Sequence, residues 1–343
     1  LKLEADVLGR LLLCIGISAF IFMPLAGALV QRFGCKKVVI TGATLMALIS
    51  VLLSCLQNIW SYAIALAFFG AVMGATDVSM NTNAVIVEKL AGRRLLSGMH
   101  AFWSIGCFAS AGLFSVLASS GSNVTLIATL HCAIVLALLA VFGRHLLDYK
   151  IPGGEKAFAI PRGIVIVLGI LACISFLVEG AVMDWSGVLL TEVKNMDIAL
   201  AGTGYAIFSV AMLIMRLLGD KTVQFLGEQK AVIGGSIVTA AGFALVVVLD
   251  NLYLNAFAFI LIGLGCANIV PVFYSLLKYQ KGMPISAAVT SVTSLGYTGV
   301  ILGPALLGFV AHGINISAVF ELVALLLVIE AGIAKYVFCK LKM

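Results

Sequence analysis

Apolar residues run in stretches of about 18 to 25, long enough as helix to cross a hydrocarbon layer of about 30 Å, and charged or turn-forming residues collect between the stretches. Reading from break to break predicts eleven helices, centred near residues 20, 47, 72, 108, 133, 176, 209, 240, 264, 298 and 327. The runs lack the alternation of polar and apolar positions that a membrane β-barrel needs. Composition excludes a soluble enzyme as well: with 62% hydrophobic and 10% charged residues, the chain has more apolar surface than a water-soluble core can hide. The predicted class is an all-α membrane protein with the lipid bilayer as its solvent.

Charge changes the picture by orienting it. If the loop with Arg32, Lys36 and Lys37 is cytoplasmic, eighteen of the 21 Lys and Arg residues fall inside and only Lys2, Arg10 and Lys194 outside. Arg216, Lys221 and Lys278 are counted here as inside loop residues. The expected topology puts residue 1 outside the membrane and the carboxyl terminus in the cytoplasm. The net charge of +6 therefore reports orientation, and no nucleic-acid partner is implied. The polar stretch 143–162 divides the chain into an amino-terminal bundle, 1–142, and a carboxyl-terminal bundle, 163–343. The eight cysteines are scattered without CxxC spacing, so no metal, disulfide or cofactor is implied. No cleavable signal peptide is expected, because the first apolar run leads into a basic loop.

The two halves repeat. Gly27-Ala-Leu-Val-Gln-Arg-Phe-Gly34 returns as Gly219-Asp-Lys-Thr-Val-Gln-Phe-Leu-Gly227, Gly74-Ala-Thr-Asp77 as Gly265-Cys-Ala-Asn268, and Ser104-Ile-Gly106 as Ser294-Leu-Gly296. Each match is weak alone, but the offsets of 192, 191 and 190 agree in order, which implies two tandem copies of a six-helix unit. The counterpart of the helix near 176 would lie just before Leu1, so the expectation is twelve helices minus the first.

Gly27-x-x-x-x-Arg32-x-Gly34-x-Lys36-Lys37 and Arg216-x-x-Gly219-Asp220 resemble the paired cytoplasmic loop motifs of the major facilitator superfamily. The resemblance implies that fold, two pseudo-symmetric six-helix bundles, with Arg32, Arg216 and Asp220 in a charge network that latches the cytoplasmic side. Gln31 stands where the family usually has an acid. Gly74-Ala-Thr-Asp77-Val-Ser-Met-Asn81, Met99-His100-Ala-Phe-Trp-Ser-Ile-Gly106, Glu179-Gly-Ala-Val-Met-Asp184-Trp185-Ser186, Asn268-Ile-Val-Pro271 and Leu295-Gly-Tyr297-Thr-Gly-Val-Ile-Leu-Gly303-Pro304 resemble the bacterial fucose-permease branch. In that branch an acid of the fourth helix stands where Asp77 stands, and Tyr297, within one of these runs, is a candidate for solute binding.

An ionisable group inside a membrane helix costs a few kcal/mol or more, so it is a functional candidate by default. Asp77, Glu179, Asp184, Glu321 and Glu330 qualify. Asp77, Asn81, Ala84 and Glu88 share a helical face, which makes Asp77 a candidate proton carrier with Asn81 in reach of solute. A packing hydrogen bond is the other reading. His100 and Glu179 join the proton-coupling set, and Trp103 offers a flat face for a sugar. Asn268, the repeat counterpart of Asp77, can bind but cannot carry a proton. Asp184 and Trp185 read as an outer gate or an interfacial anchor, Gly299-x-x-x-Gly303-Pro304 as a close packing site with a bend, and Glu321 and Glu330 have no partner in view.

The resulting expectation is a monomeric secondary transporter with a small polar solute, for instance a sugar, and protons as its partners. Proton-antiport efflux of drug-like or metabolic compounds, a non-transporting sensor and an inactive truncated product are the alternatives. No nucleophile-base pair or phosphate loop points to an enzyme.

Overall fold

The computed structural model describes residues 5–150, 160–197 and 200–341. Lys2, Lys156, Lys342 and the middle of the expected linker lie outside the described residues. Among those described the chain is helical: α1 (Ala5–Phe22), α2 (Ala26–Phe33), α3 (Cys35–Cys55), α4 (Ile59–Ala91), α5 (Leu96–Ser119), α6 (Val124–Phe142), α7 (Ile164–Val188), α8 (Thr203–Leu226), α9 (Glu228–Val248), α10 (Leu252–Cys266), α11 (Ile269–Leu276), α12 (Ile285–Gly313) and α13 (Ile316–Leu341). Ten stretches are long and apolar enough to cross a membrane, α1 with α2 and α10 with α11 each forming one of them. The remaining long helix, α8, has 24 residues and carries Arg216, Asp220 and Lys221 within it.

Local chemistry explains the breaks. Pro24 cannot donate a helical hydrogen bond, and a 3-10 turn, Met23–Leu25, separates α1 from α2. Asn123 and Asn251 cap α6 and α10 by accepting hydrogen bonds from Leu126 N and from Tyr253 N and Leu254 N. Gly34 and Gly227 join α2 to α3 and α8 to α9 with nearly the same backbone, φ 87° and ψ 151° against φ 81° and ψ 154°. That left-handed φ suits glycine, and it places the two copies of the repeated motif in the same turn.

The chain forms two compact units. The first takes the described residues of Leu1–Val87, Gly106–Pro161 and Met283–Ser294. Here α3 packs on α6, and the stretch after α6 is strapped to the start of α3 and to α4: Cys35 N donates to Tyr149 O at 2.8 Å, Lys36 Nζ to Arg144 O at 2.8 Å, and Asn83 Nδ2 of α4 to Leu147 O at 2.8 Å. Part of the polar stretch expected as linker is thus held on this unit. A Cβ at Gly74 would come within 2.5 Å of the Ala19 carbonyl oxygen, so α4 meets α1 backbone to backbone.

The second unit takes Glu88–Ile105, Arg162–Gly282 and the described residues of Leu295–Met343. Its core is α9 packed against α10 and α13, with α7 against α8 and α13. Phe243 and Phe320 meet at 5.6 Å between ring centroids. Gly299 lies against the Cys173 carbonyl, with Thr298 Oγ1 and Cys173 Sγ 3.2 Å apart, so the glycine-proline motif of α12 serves close packing on α7.

Candidate functional site

A guanidinium occupies the polar centre of the second unit. Arg216 is 4% exposed and is the fourteenth residue of α8, well inside the helix rather than in a loop. Its Nη2 donates to Glu179 Oε1 of α7 at 3.1 Å, its Nη1 to Ser104 Oγ of α5 at 3.2 Å, and its Nε to the Ala267 carbonyl at 3.3 Å. That carbonyl belongs to the interruption between α10 and α11, where Asn268 precedes Ile269, and Pro271 in the first turn of α11 needs no amide partner. The loop position expected for Arg216 is therefore corrected. A charge matched from another helix can stay within apolar sequence, and only the sequence makes it look like a break.

Among the buried polar atoms of the same unit that have no hydrogen-bond partner among the described residues are Nε2 of His100 and Oδ1 of Asn268. His100 stacks on Tyr274 at 5.9 Å with the rings 28° apart, and it lies in the field of Arg216. Asn268 presses on the backbone of Gly219, where no Cβ would fit beside its side chain. Buried polar atoms are normally paired, so unpaired ones in the same unit as a buried charged pair are candidates for contact with a polar solute.

A second constellation fastens the end of α4 and the start of α5. Asp220 accepts from Ser97 N at 3.1 Å and Gly98 N at 2.9 Å, placing a carboxylate on free amides of the first turn of α5. Glu88 accepts from Leu95 N, Leu96 N, Ser275 Oγ and Lys278 Nζ, the last two at 2.7 Å. Arg94 Nη1 donates to Glu228 Oε1 at 2.6 Å. Of these residues only Asp220 was a sequence candidate. The face shared with Asp77 and Asn81 pointed toward Glu88, but its cation lies 190 positions away.

The remaining candidates are dispersed. In the first unit Asn81 Nδ2 donates to Asp77 O at 3.0 Å and to Asp77 Oδ1 at 3.3 Å, so this pair is formed within α4. Arg32 is exposed, its guanidinium 5.2 Å from the Phe33 ring centre. In the second unit Trp103 is 61% exposed, Asp184 is exposed, and Trp185 lies beside Gly308 with its Nε1 unpartnered. Tyr297 meets Phe176 edge-on at 6.0 Å. Glu330, unassigned from sequence, is fully buried and bound by two serines. Among the described residues no group of three or more His, Cys, Asp or Glu side chains could hold a metal ion.

The Major Facilitator Superfamily model matches residues 1–297. The chain belongs to that superfamily. Membership makes it a multi-pass membrane transporter of a family defined by transport rather than enzymatic chemistry. It is 40% identical over 331 residues to an uncharacterized MFS-type transporter of Yersinia pestis, covering 96% of this chain and 86% of that protein. Among solved structures it is similar to the human organic anion transporter MFSD10, with a TM-score of 0.75 at 15% identity over 96% of this chain and 84% of that one. It is also similar to the fucose:proton symporter of E. coli, with a TM-score of 0.72 at 16% identity over 97% of this chain and 95% of that one. At such identities the structural matches establish the fold alone.

Proposed function

We propose that this superfamily member moves a small polar solute across a bacterial cytoplasmic membrane by alternating access, driven by proton movement, with a sugar as one cargo class. The observation that carries this reading is the Arg216–Glu179 pair at 3.1 Å, buried among membrane helices beside the unpartnered atoms of His100 and Asn268. A helix bundle that needed only stability would not bury this set, because an ion pair there is at best neutral against apolar packing. Arg216 fits the fixed charge of the solute site better than a loop gate. Asp220, Glu88 and Arg94 take the latch role, and Asp77 with Asn81 takes the proton. Counting α8 as a span gives eleven, in bundles of residues 1–142 and 163–343 joined by 143–162, working as a monomer.

A second reading, exchange of an organic anion, is favoured by Arg216 as a buried cation and by the likeness to the organic anion transporter MFSD10. Purified protein in liposomes under an imposed pH gradient separates the two. Accumulation of a neutral sugar with an equal entry of protons supports the first reading, and accumulation of an anion against it supports the second. Neither class moving, with the protein folded, would sink both.

Orientation is tested separately. With native thiols removed, a cysteine at Gly92 in the turn after α4 is expected to be shielded from an impermeant thiol reagent in intact cells, and one at Asn195 after α7 to be labelled. The reverse pattern would invert the topology.

A further inference from the structure

Among the described residues of the second unit, one fully buried carboxyl has no cation paired with it. Glu330, on α13, has no exposed surface. Ser175 Oγ of α7 donates to its Oε1 at 2.7 Å, and Ser236 Oγ of α9 donates to its Oε2 at 3.1 Å. Both serines are themselves buried. Among the described residues no Lys, Arg or His forms an ion pair with it.

The charged groups on the surrounding elements are accounted for elsewhere. On α7, Glu179 is taken by Arg216 and Asp184 is exposed; on α9, Glu228 is taken by Arg94, and Lys230 lies in the first turn. Lys335 and Glu321 of α13 itself are exposed. Helix α10 contributes Cys266, a buried thiol in the field of Glu179, Arg216 and Glu330 together. Ser175 stands one turn before Glu179 on the same face of α7, so the two carboxyl sites belong to one continuous polar seam.

An ionised carboxylate buried with only two hydroxyl donors is not stable against taking up a proton, because hydroxyl dipoles do not replace water or a counter-charge. Arg216 is taken by Glu179, and among the described residues no cation pairs with Glu330, so a proton is what relieves the charge there. We propose that Glu330, with Ser175 and Ser236, is an intramembrane proton-binding site of the second unit, separate from Asp77. The proton binds one Oε, which turns that oxygen into a donor toward its serine while the other keeps accepting. The assignment does not depend on which solute moves, or on whether Asp77 is the coupling acid.

Infrared difference spectroscopy of the full chain in lipid nanodiscs, in light and heavy water, reads the site directly. The unmodified protein is expected to show the C=O stretch of a buried neutral carboxylic acid at neutral pH, shifted by deuterium. Glu330→Gln, which keeps the shape and both hydrogen bonds, removes that band, and Asp77→Asn leaves it. Ser236→Ala, a milder change for folding, moves the band without abolishing it, because losing a hydrogen bond at either oxygen of the carboxylic acid changes its C=O stretch. A band that persists in Glu330→Gln, or one indifferent to Ser236→Ala, overturns the proposal. So does a carboxylate band at this residue that shifts with Na⁺, which would make it a cation site. Loss of transport in any of these variants leaves the spectroscopic result standing, so failure of the transport reading and failure of this one are distinct.

Discussion

Arg216→Ala is expected to abolish solute movement and to destabilise the protein by about 3 to 5 kcal/mol, the usual cost of leaving one partner of a buried ion pair alone. The stability loss comes from three groups at once. Glu179 loses its counter-charge, and Ser104 Oγ and the Ala267 carbonyl lose their donor. Stability alone would not separate a structural pair from a solute site, so the informative variant is Arg216→Met with Glu179→Gln. Removing both charges removes the desolvation problem, and thermal unfolding should return close to that of the parent. Transport should not return, because the fixed charge for the solute is gone. Normal flux in liposomes by the double variant would show that the pair only holds α7 against α8.

The second large effect concerns Asp77. Asp77→Asn keeps the shape of the side chain, and the new amide can still meet Asn81, which now bonds Asp77 at 3.3 Å. Only titration is lost. A carrier must release its proton before the empty protein reorients, so the variant is expected to lose gradient-driven accumulation and to keep solute exchange across the membrane. Binding should survive. If Asp77 serves packing alone, accumulation continues almost unchanged, and undiminished uptake under an imposed pH gradient would reject the carrier role.

The positions of the helices were legible because a bilayer converts sequence into structure almost without tertiary context: an apolar run must be helical. Less regular features needed residues that carry their own signal. Pro24 marks the interruption between α1 and α2, and Asn268 with Pro271 marks the one between α10 and α11, yet average hydropathy passes smoothly over both. The repeat was legible as spacing, and the matched conformations of Gly34 and Gly227 give that spacing a physical basis.

The polar centre was legible only as a list of acids. Asp77 and Asn81 are four residues apart on one helix, so periodicity found their contact. Glu179 and Arg216 are 37 positions apart, Ser175 and Glu330 155, and Glu88 and Lys278 190. No local pattern encodes such partners. An unpaired charge in an apolar run says that a partner exists without saying which residue it is, and so Arg216 looked like a loop while Glu330 had no role.

The fastening at the end of α4 has a consequence for the cell. In both ion pairs the carboxylate is almost completely enclosed while the cation stands nearer the rim: Glu88 is 1% exposed against 16% for Lys278, and Glu228 2% against 25% for Arg94. Dissolved ions screen charges over about 8 Å at physiological ionic strength, and they cannot enter between partners 2.7 and 2.6 Å apart. The exposed Lys89 and Arg93 beside them have no such shelter. If this turn faces the cytoplasm, as the proposed topology has it, a cell that loses water and concentrates its internal salt would mask the outer cations of the turn while leaving its fastening intact, so osmotic stress should change what the surface attracts far more than how firmly α4 and α5 are held.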